Sequence, residues 1–479
     1  MIKRLLIVII PIFLLSSPVW GETPGPISME ECIEIGIKNN FDLKKTNYDL
    51  LVAQEGTEQI MAQYEPLLSF STGIKDVRNP VTTATYGSKS RTDSASVGIN
   101  KKTALTGGTF GATWQNSKTD TNASSASFNP SYNSDLSLAY SQPLLNNFGG
   151  KNDRRNIRIS RLKEETASLA TTTEKNILIN RLKKGYLDLN FTKLNLEVEN
   201  KALSRSQQLL SLNKKKFADG LIEEVDIIAL EAAVTLNEAS IMLAKDEVKN
   251  AREQLLNIMG VKEDIGYTFT ELNLLQIPEA VPPNQDETIR ITLANRAELK
   301  IIKNILEIDS ITKEIKANEN KPSLNFNTSY GFSSAEESLS NSYDTVGDGT
   351  YPSWYVGLNL TLYPFSQKGA SQVRASEYTY GKNMAEYERV KLALITDSKA
   401  IARHIRTQLS YIEATKNVAS LQDKKFRLEQ EKFAQGRSGT KWLLEYQDDL
   451  SQAEINNLKA LTDYYKIKAD FELITGVTE

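Results

Sequence analysis

The chain alternates between stretches whose apolar residues recur every seventh position and stretches where they recur every second. Leu189, Leu196, Leu203, Leu210 and Phe217 step by seven, and after a glycine Ile227, Val234, Ile241, Val248 and Leu255 do so again. The two stripes return as Ile405, Ile412, Ala419, Phe426 and Phe433, then Leu443, Leu450, Asn457, Tyr464 and Phe471. A seven-residue step underwinds a helix slightly and keeps one stripe facing a partner, which predicts coiled-coil packing. From about Asn152 to Lys216 there is no proline and one glycine, Gly185. At about 1.5 Å per residue that predicts a helix roughly 100 Å long, far beyond the few turns of an ordinary globular helix.

The stripes belong to a duplication. Lys216-Phe217-Ala218-Asp219-Gly220 recurs as Lys432-Phe433-Ala434-Gln435-Gly436, and Ile258-Met259-Gly260-Val261 as Ile474-Thr475-Gly476-Val477, both at an offset of 216 residues. Two landmarks in one register define an internal repeat. Gly220 and Gly436 can take the left-handed conformation that stops a helix. Acids follow them (Glu223 and Glu224; Glu445 further in), where a positive helix end favours them. Each copy therefore predicts a helical hairpin with its tip at Lys-Phe-Ala-x-Gly. A shorter helix, about Ser28 to Gln63, precedes the first copy, and Thr288 to Ala317 plays the same part in the second.

Between the helices the pattern has period two. Leu68, Phe70, Thr72 and Ile74 alternate with Ser69, Ser71, Gly73 and Lys75; Ala95 to Ile99, Phe110 to Trp114, Leu136 to Tyr140, Leu324 to Phe332 and Trp354 to Leu362 behave alike. Apolar residues alternating with small polar ones suit a membrane barrel, and a soluble β-sandwich would show the same. Six strands set between helices too long for a compact domain favour the barrel. Long Ser/Thr/Asn/Gly-rich loops are expected over Asp76–Arg91, Lys118–Tyr132 and Ser333–Pro352, with a short turn over Thr103–Gly108. Barrels keep short turns on the periplasmic side, so the strand sets leave the helices, visit the outside and return. Pro143 and Pro364 close the returning strands.

Composition narrows the setting. Lys3 and Arg4, the apolar run Leu5 to Leu15 and the small residues up to Gly21 form a secretory signal pattern, too short to span a bilayer. No later segment shows the unbroken apolar run of a transmembrane helix. The single cysteine, Cys32, excludes an internal disulfide framework, and with one histidine, His404, clusters of the Cys/His metal type are absent. Net charge is −3 without a long basic run, which disfavours nucleic acid as a partner. No phosphate loop, nucleophile elbow or catalytic constellation is present, so neither an enzyme nor a cofactor is expected.

The exported N-terminus, the Gln142-Pro143-Leu144-Leu145 strand exit, the two hairpin tips and the twice-repeated order of helix and strand resemble the TolC-type outer-membrane efflux protein family over essentially the whole mature chain. The resemblance implies an α+β membrane protein: internally duplicated coiled-coil hairpins plus outer-membrane β-strands, joined as a trimeric α/β-barrel channel with helices extending into the periplasm. Open strand edges in lipid independently disfavour a monomer. It implies a passive conduit for efflux or type I secretion, driven by an inner-membrane transporter through a periplasmic adaptor. Phe217, Gly220, Phe433 and Gly436 match the tips that dock the adaptor. The family closes its entrance with polar links and acidic rings past the second tip. Glu445 matches the inner ring position, and Trp442 stands where the other acid would be. Asp226 matches the polar position of the first copy, with Arg437 as the nearby bridging candidate. The missing acid puts the usual cation-binding ring in question and raises an aromatic constriction at Trp442 as the alternative. The family pattern has four strands per protomer. The extra hairpin Ser94–Gln115 either widens the barrel or decorates its rim.

The expected organisation is a signal peptide over 1–21, a first repeat over 22–261, a linker over 262–285 and a second repeat over 286–479. The rival reading from another class is a non-conducting coiled-coil envelope spacer with a β-strand anchor.

Overall fold

The computed structural model describes residues 25–80, 85, 87–261, 266–273, 282–362 and 367–477. The signal segment, Pro364 and much of the linker lie outside them. Two hairpins dominate: α3 (Lys151–Ala218) with α4 (Glu224–Met259), and α8 (Gln367–Ala434) with α9 (Thr440–Thr475). Every bound of the second pair lies 216 residues beyond its counterpart, so the register read from two short motifs extends to whole elements.

The chain gathers into two compact units, one comprising the segment up to Asn40 with Leu178–Ala280 and Thr407–Ala469, the other the remainder. In the first, Tyr186 is fully buried; its hydroxyl donates to the carbonyls of Ile27 (2.9 Å) and Thr270 (2.7 Å), and its ring meets Phe269 edge-on. A short parallel bridge, Ile27 to Phe269, lies beside it. Cys32 is fully buried on α1 (Met29–Asn39), and burial pushes its thiol up to about 12.

The single helix expected over Ser28–Gln63 is two. α1 stops at Asn40 and α2 runs Phe41–Ala62. The second copy breaks likewise between α5 (Gln285–Asn295) and α6 (Ala297–Glu319). Each break receives the end of the second hairpin arm. Asn40 Nδ2 donates to the Ile258 carbonyl at 2.9 Å, and a Cβ on left-handed Gly260 would meet the Asn39 carbonyl oxygen at 2.8 Å. In the other unit, Arg296 donates to the Leu473 carbonyl and Gly476 packs on Asn295. A polar side chain serving a distant carbonyl leaves no trace in apolar periodicity.

The second unit carries one antiparallel sheet in sequence order: β1 (Leu67–Arg78), β2 (Lys89–Lys102), β3 (Thr109–Thr121), β4 (Ser131–Pro143), β5 (Ser323–Glu336) and β6 (Pro352–Thr361). Strands outrun the sequence expectation, which shortens the loops on the far side. The loop expected over Ser333–Pro352 instead contains α7 (Leu339–Gly347), capped by Ser338 Oγ and seated on the sheet through Ser342 against Ser334 (2.6 Å) and Tyr343 against Trp114.

Register assigns the two faces. Leu68, Ile99, Ala112, Leu138, Tyr330 and Trp354 face one another across the ladder, as do Phe70, Val97, Trp114, Leu136 and Phe332. The opposite face repeats Ser69, Gly98, Thr113, Ser137, Gly331 and Ser353. The apolar face lies open in a single chain, with Phe70 73% and Trp354 75% exposed.

α4 corrects another expectation. By length and composition it is apolar enough to cross a bilayer, the one such helix among the described residues. Its surplus apolar residues, Val225, Ile228, Leu236, Met242 and Leu243, lie exposed along a hairpin arm. That arm is tied to α3 by Asn237 donating to Ser206 (2.8 Å) and by the Lys214–Glu231 pair (2.9 Å).

Candidate functional site at the hairpin tips

Both tips turn through the same backbone. Gly220 and Gly436 have φ of 72° and 70°, with open space where a Cβ would stand. Their N–H groups donate to the carbonyls of Phe217 (2.9 Å) and Phe433 (3.1 Å), and those of Leu221 and Arg437 reach back to Lys216 and Lys432 (2.9 Å each). These bonds satisfy carbonyls that the helix end leaves free.

The side chains then diverge. Phe217 is 44% exposed, whereas Phe433 is 4% exposed and packs with Leu209, Leu230, Phe426, Leu443 and Leu450. Of the two phenylalanines at the expected docking tips, only Phe217 is exposed, and Phe433 belongs to the core. Lys216 covers it, its Nζ 4.2 Å from the ring centroid and donating to the Phe433 carbonyl at 3.2 Å.

Sequence reasoning missed the device that fastens the second tip. Glu429 accepts from Ser438 Oγ, nine residues on across the turn, and from Lys432 Nζ at 3.3 Å. Chiefly the Ser438 bond holds its carboxyl below the ordinary carboxylate range. At the repeat offset the first copy has Asn213 and Ile222 instead. Comparing the copies position by position would have exposed this difference.

No hydrogen bond or ion pair joins the gate candidates to one another within one chain among the described residues. Asp226 lies in the first turn of α4, half-buried, its N–H donating to the Glu223 carbonyl at 3.1 Å. Arg437 is exposed and reaches Gln435 Oε1 (3.4 Å) rather than Asp226, so the intramolecular bridge is not made. Trp442 is exposed on the first turn of α9 and tilts against Tyr446, 6.1 Å between centroids. Glu445 is exposed on the same helix. Lys425 lies 3.6 Å from the Tyr446 centroid and pairs with Asp449 at 2.9 Å.

Behind the tips the hairpins are joined by buried polar groups. Gln447, 1% exposed, donates to Ser206 Oγ (2.6 Å) and the Ala202 carbonyl (3.1 Å), and Arg205 pairs with Glu454 at 2.8 Å. A cavity of about 190 Å³ lies beside them, lined by Arg205, Leu212, Gln430, Phe433 and Gln447. Burial pushes the carboxyls of Asp448 and Glu199 above their ordinary range, and Glu247 and Asp448 push Glu199 further.

This geometry is that of a stacked pair of hairpins with one loose and one fastened tip, on a chain that also carries a two-faced sheet. Residues 288–477 match the family described as Outer membrane efflux protein. The match covers β5, β6 and the second hairpin but not the first copy of the repeat. Solved channel structures show the same fold over almost all of the chain. The outer-membrane channel OprN is similar with a TM-score of 0.71 at 16% identity, covering 94% of this chain and 90% of that one. The outer membrane protein VceC of Vibrio cholerae gives 0.71 at 13%, covering 94% and 96%. The outer membrane channel CmeC of Campylobacter jejuni gives 0.70 at 15%, covering 94% and 85%. No curated protein matches the chain.

Proposed function

We propose that three copies of this chain form an outer-membrane channel whose helices extend into the periplasm, a passive conduit serving an inner-membrane transporter through a periplasmic adaptor. The two-faced sheet carries this reading. An open face bearing Leu68, Phe70, Leu138, Trp354 and Leu358 suits lipid, and its reverse of serine, glycine and asparagine suits a water-filled lumen. Both edge strands, β1 and β6, have unpaired backbone groups that hydrocarbon cannot satisfy. Apolar stripes on the helices also await a neighbour: Leu236 and Leu243 on α4, Tyr411, Val418, Leu421 and Leu428 on α8.

The tips are the adaptor-docking end, with Phe217, Gly220 and Gly436 presented and Phe433 buttressing from within. Asp226, Arg437, Trp442 and Glu445 line the entrance, where Arg437 meets Asp226 of a neighbouring copy. Planar-bilayer recording of the purified protein tests the conduit. Stable conductance, open or gated, is expected. A correctly assembled trimer that never conducts would favour the envelope spacer.

A further inference from the structure

We propose that β2 and β3 are wall strands, so that three copies close one eighteen-stranded barrel by pairing β6 of each copy with β1 of the next. The inference rests on the trimeric channel proposed above and concerns the width and seam of its outer part. The extra hairpin does not decorate a rim. β2 and β3 lie between β1 and β4 in one sheet, paired along almost their whole length, and they continue both faces without a break.

Six antiparallel strands leave β6 running opposite to β1, so a second copy can extend the ladder antiparallel. Backbone pairs carry Leu67 through Asn100, Gly111, Ala139 and Ser329 to Tyr355, six residues short of the end of β6 at Thr361. If the seam aligns the strand ends, Thr361 beside Leu67, the ladder climbs six residues per copy, or one per strand. With about 3.3 Å per residue and about 4.8 Å between strands, that stagger corresponds to a tilt of about 35°, within the range closed barrels adopt.

The same alignment matches side chains. Leu68 meets Leu360, Phe70 meets Leu358, Thr72 meets Val356 and Ile74 meets Trp354 on the apolar face. On the polar face Ser71 meets Gly357, and Gly73 leaves room for Tyr355. Barrel diameter grows with strand number; at this tilt and strand spacing it is about 22 Å between backbones for twelve strands and about 34 Å for eighteen. An eighteen-stranded barrel leaves an aqueous lumen, so the outer opening does not sieve small solutes.

The full chain carrying Phe70→Cys with Leu358→Cys should, on oxidation in the membrane, lose its monomer band to species of two and three times the mass. Cys32, buried and protonated, stays silent. Phe70→Cys with Leu136→Cys should not link, because two strands separate them; efficient linking would mean β1 lies directly on β4 and would overturn the inference. Electron microscopy of the assembly should count eighteen wall strands. A trimer with twelve overturns this inference alone, whereas a monomer overturns the channel reading with it.

Discussion

The two hairpin tips share a backbone and differ in what fastens it. Phe433 is swallowed by its own chain and Glu429 clasps Ser438 across the turn. Phe217 stands out from the first tip, with Asn213 and Ile222 where the clasp would be. A duplicated unit thus keeps the turn in both copies and differs in its side chains: one tip buries its ring in the core while the other leaves it exposed.

The largest test removes each ring. Phe433→Ala empties a core site and should cost about 3–5 kcal/mol of local stability, read as faster hydrogen exchange in the turns flanking the second tip. Phe217→Ala should stay within about 0.5 kcal/mol, as surface substitutions do, yet weaken co-purification of the adaptor. Equal loss of protection at both tips would end the distinction between them.

What the copies share comes next. Gly220→Ala and Gly436→Ala should each cost about 1–2 kcal/mol, because an L side chain is strained in the left-handed region. The two losses should be nearly equal, since neither site has an atom near the added methyl. Proteolysis of intact protein, read by which turn is cut first, would reveal an unequal pair.

Acid should separate the tips again, by less. Glu429 has its carboxyl held low, so its clasp is fully present above the ordinary carboxylate range and is lost as pH falls through the depressed value. Protection at the second tip should therefore decline below about pH 4, with no matching decline at the first. Glu429→Gln should start less protected at neutral pH and lose the acid dependence. An unchanged pH profile in that variant would show that the clasp contributes nothing.

How much of this was readable in the sequence differs by level. The 216-residue register, both glycine turns and all six strands were legible, because periodicity and left-handed stops are local properties. The cover on each stripe was not. Near the first tip the buried positions of α3 are Ala202, Ser206, Leu209 and Asn213, one residue off the leucine stripe through Leu203 and Leu210. Ser206 is buried with Asn237 and Gln447 donating to its hydroxyl, and Asn213 is buried with its amide donating to the Leu209 carbonyl, polar burial that hydrophobic counting cannot see. At the candidate site the glycines and Phe217 were legible. The burial of Phe433 and the Glu429–Ser438 clasp were not, since both depend on which helix lies opposite.

The smallest expected effect sharpens the comparison away from the tips. Glu199 on α3 is pushed above the ordinary carboxylate range by burial, then by Glu247 and Asp448. At the repeat offset stands Thr415, whose hydroxyl donates to the Tyr411 carbonyl at 3.0 Å. The second copy satisfies this position from its own helix, and the first holds a charge there against two others. A raised carboxylate binds its proton more tightly folded than unfolded, so stability increases as pH falls through the raised value and is lower above it. Glu199→Gln removes the charge and should leave the first hairpin slightly more protected at neutral pH, with a flatter response between neutral and mildly acidic conditions. Loss of protection in that variant would mean the carboxylate has a stabilising partner, and that the first hairpin is tensioned by attraction rather than loosened by repulsion.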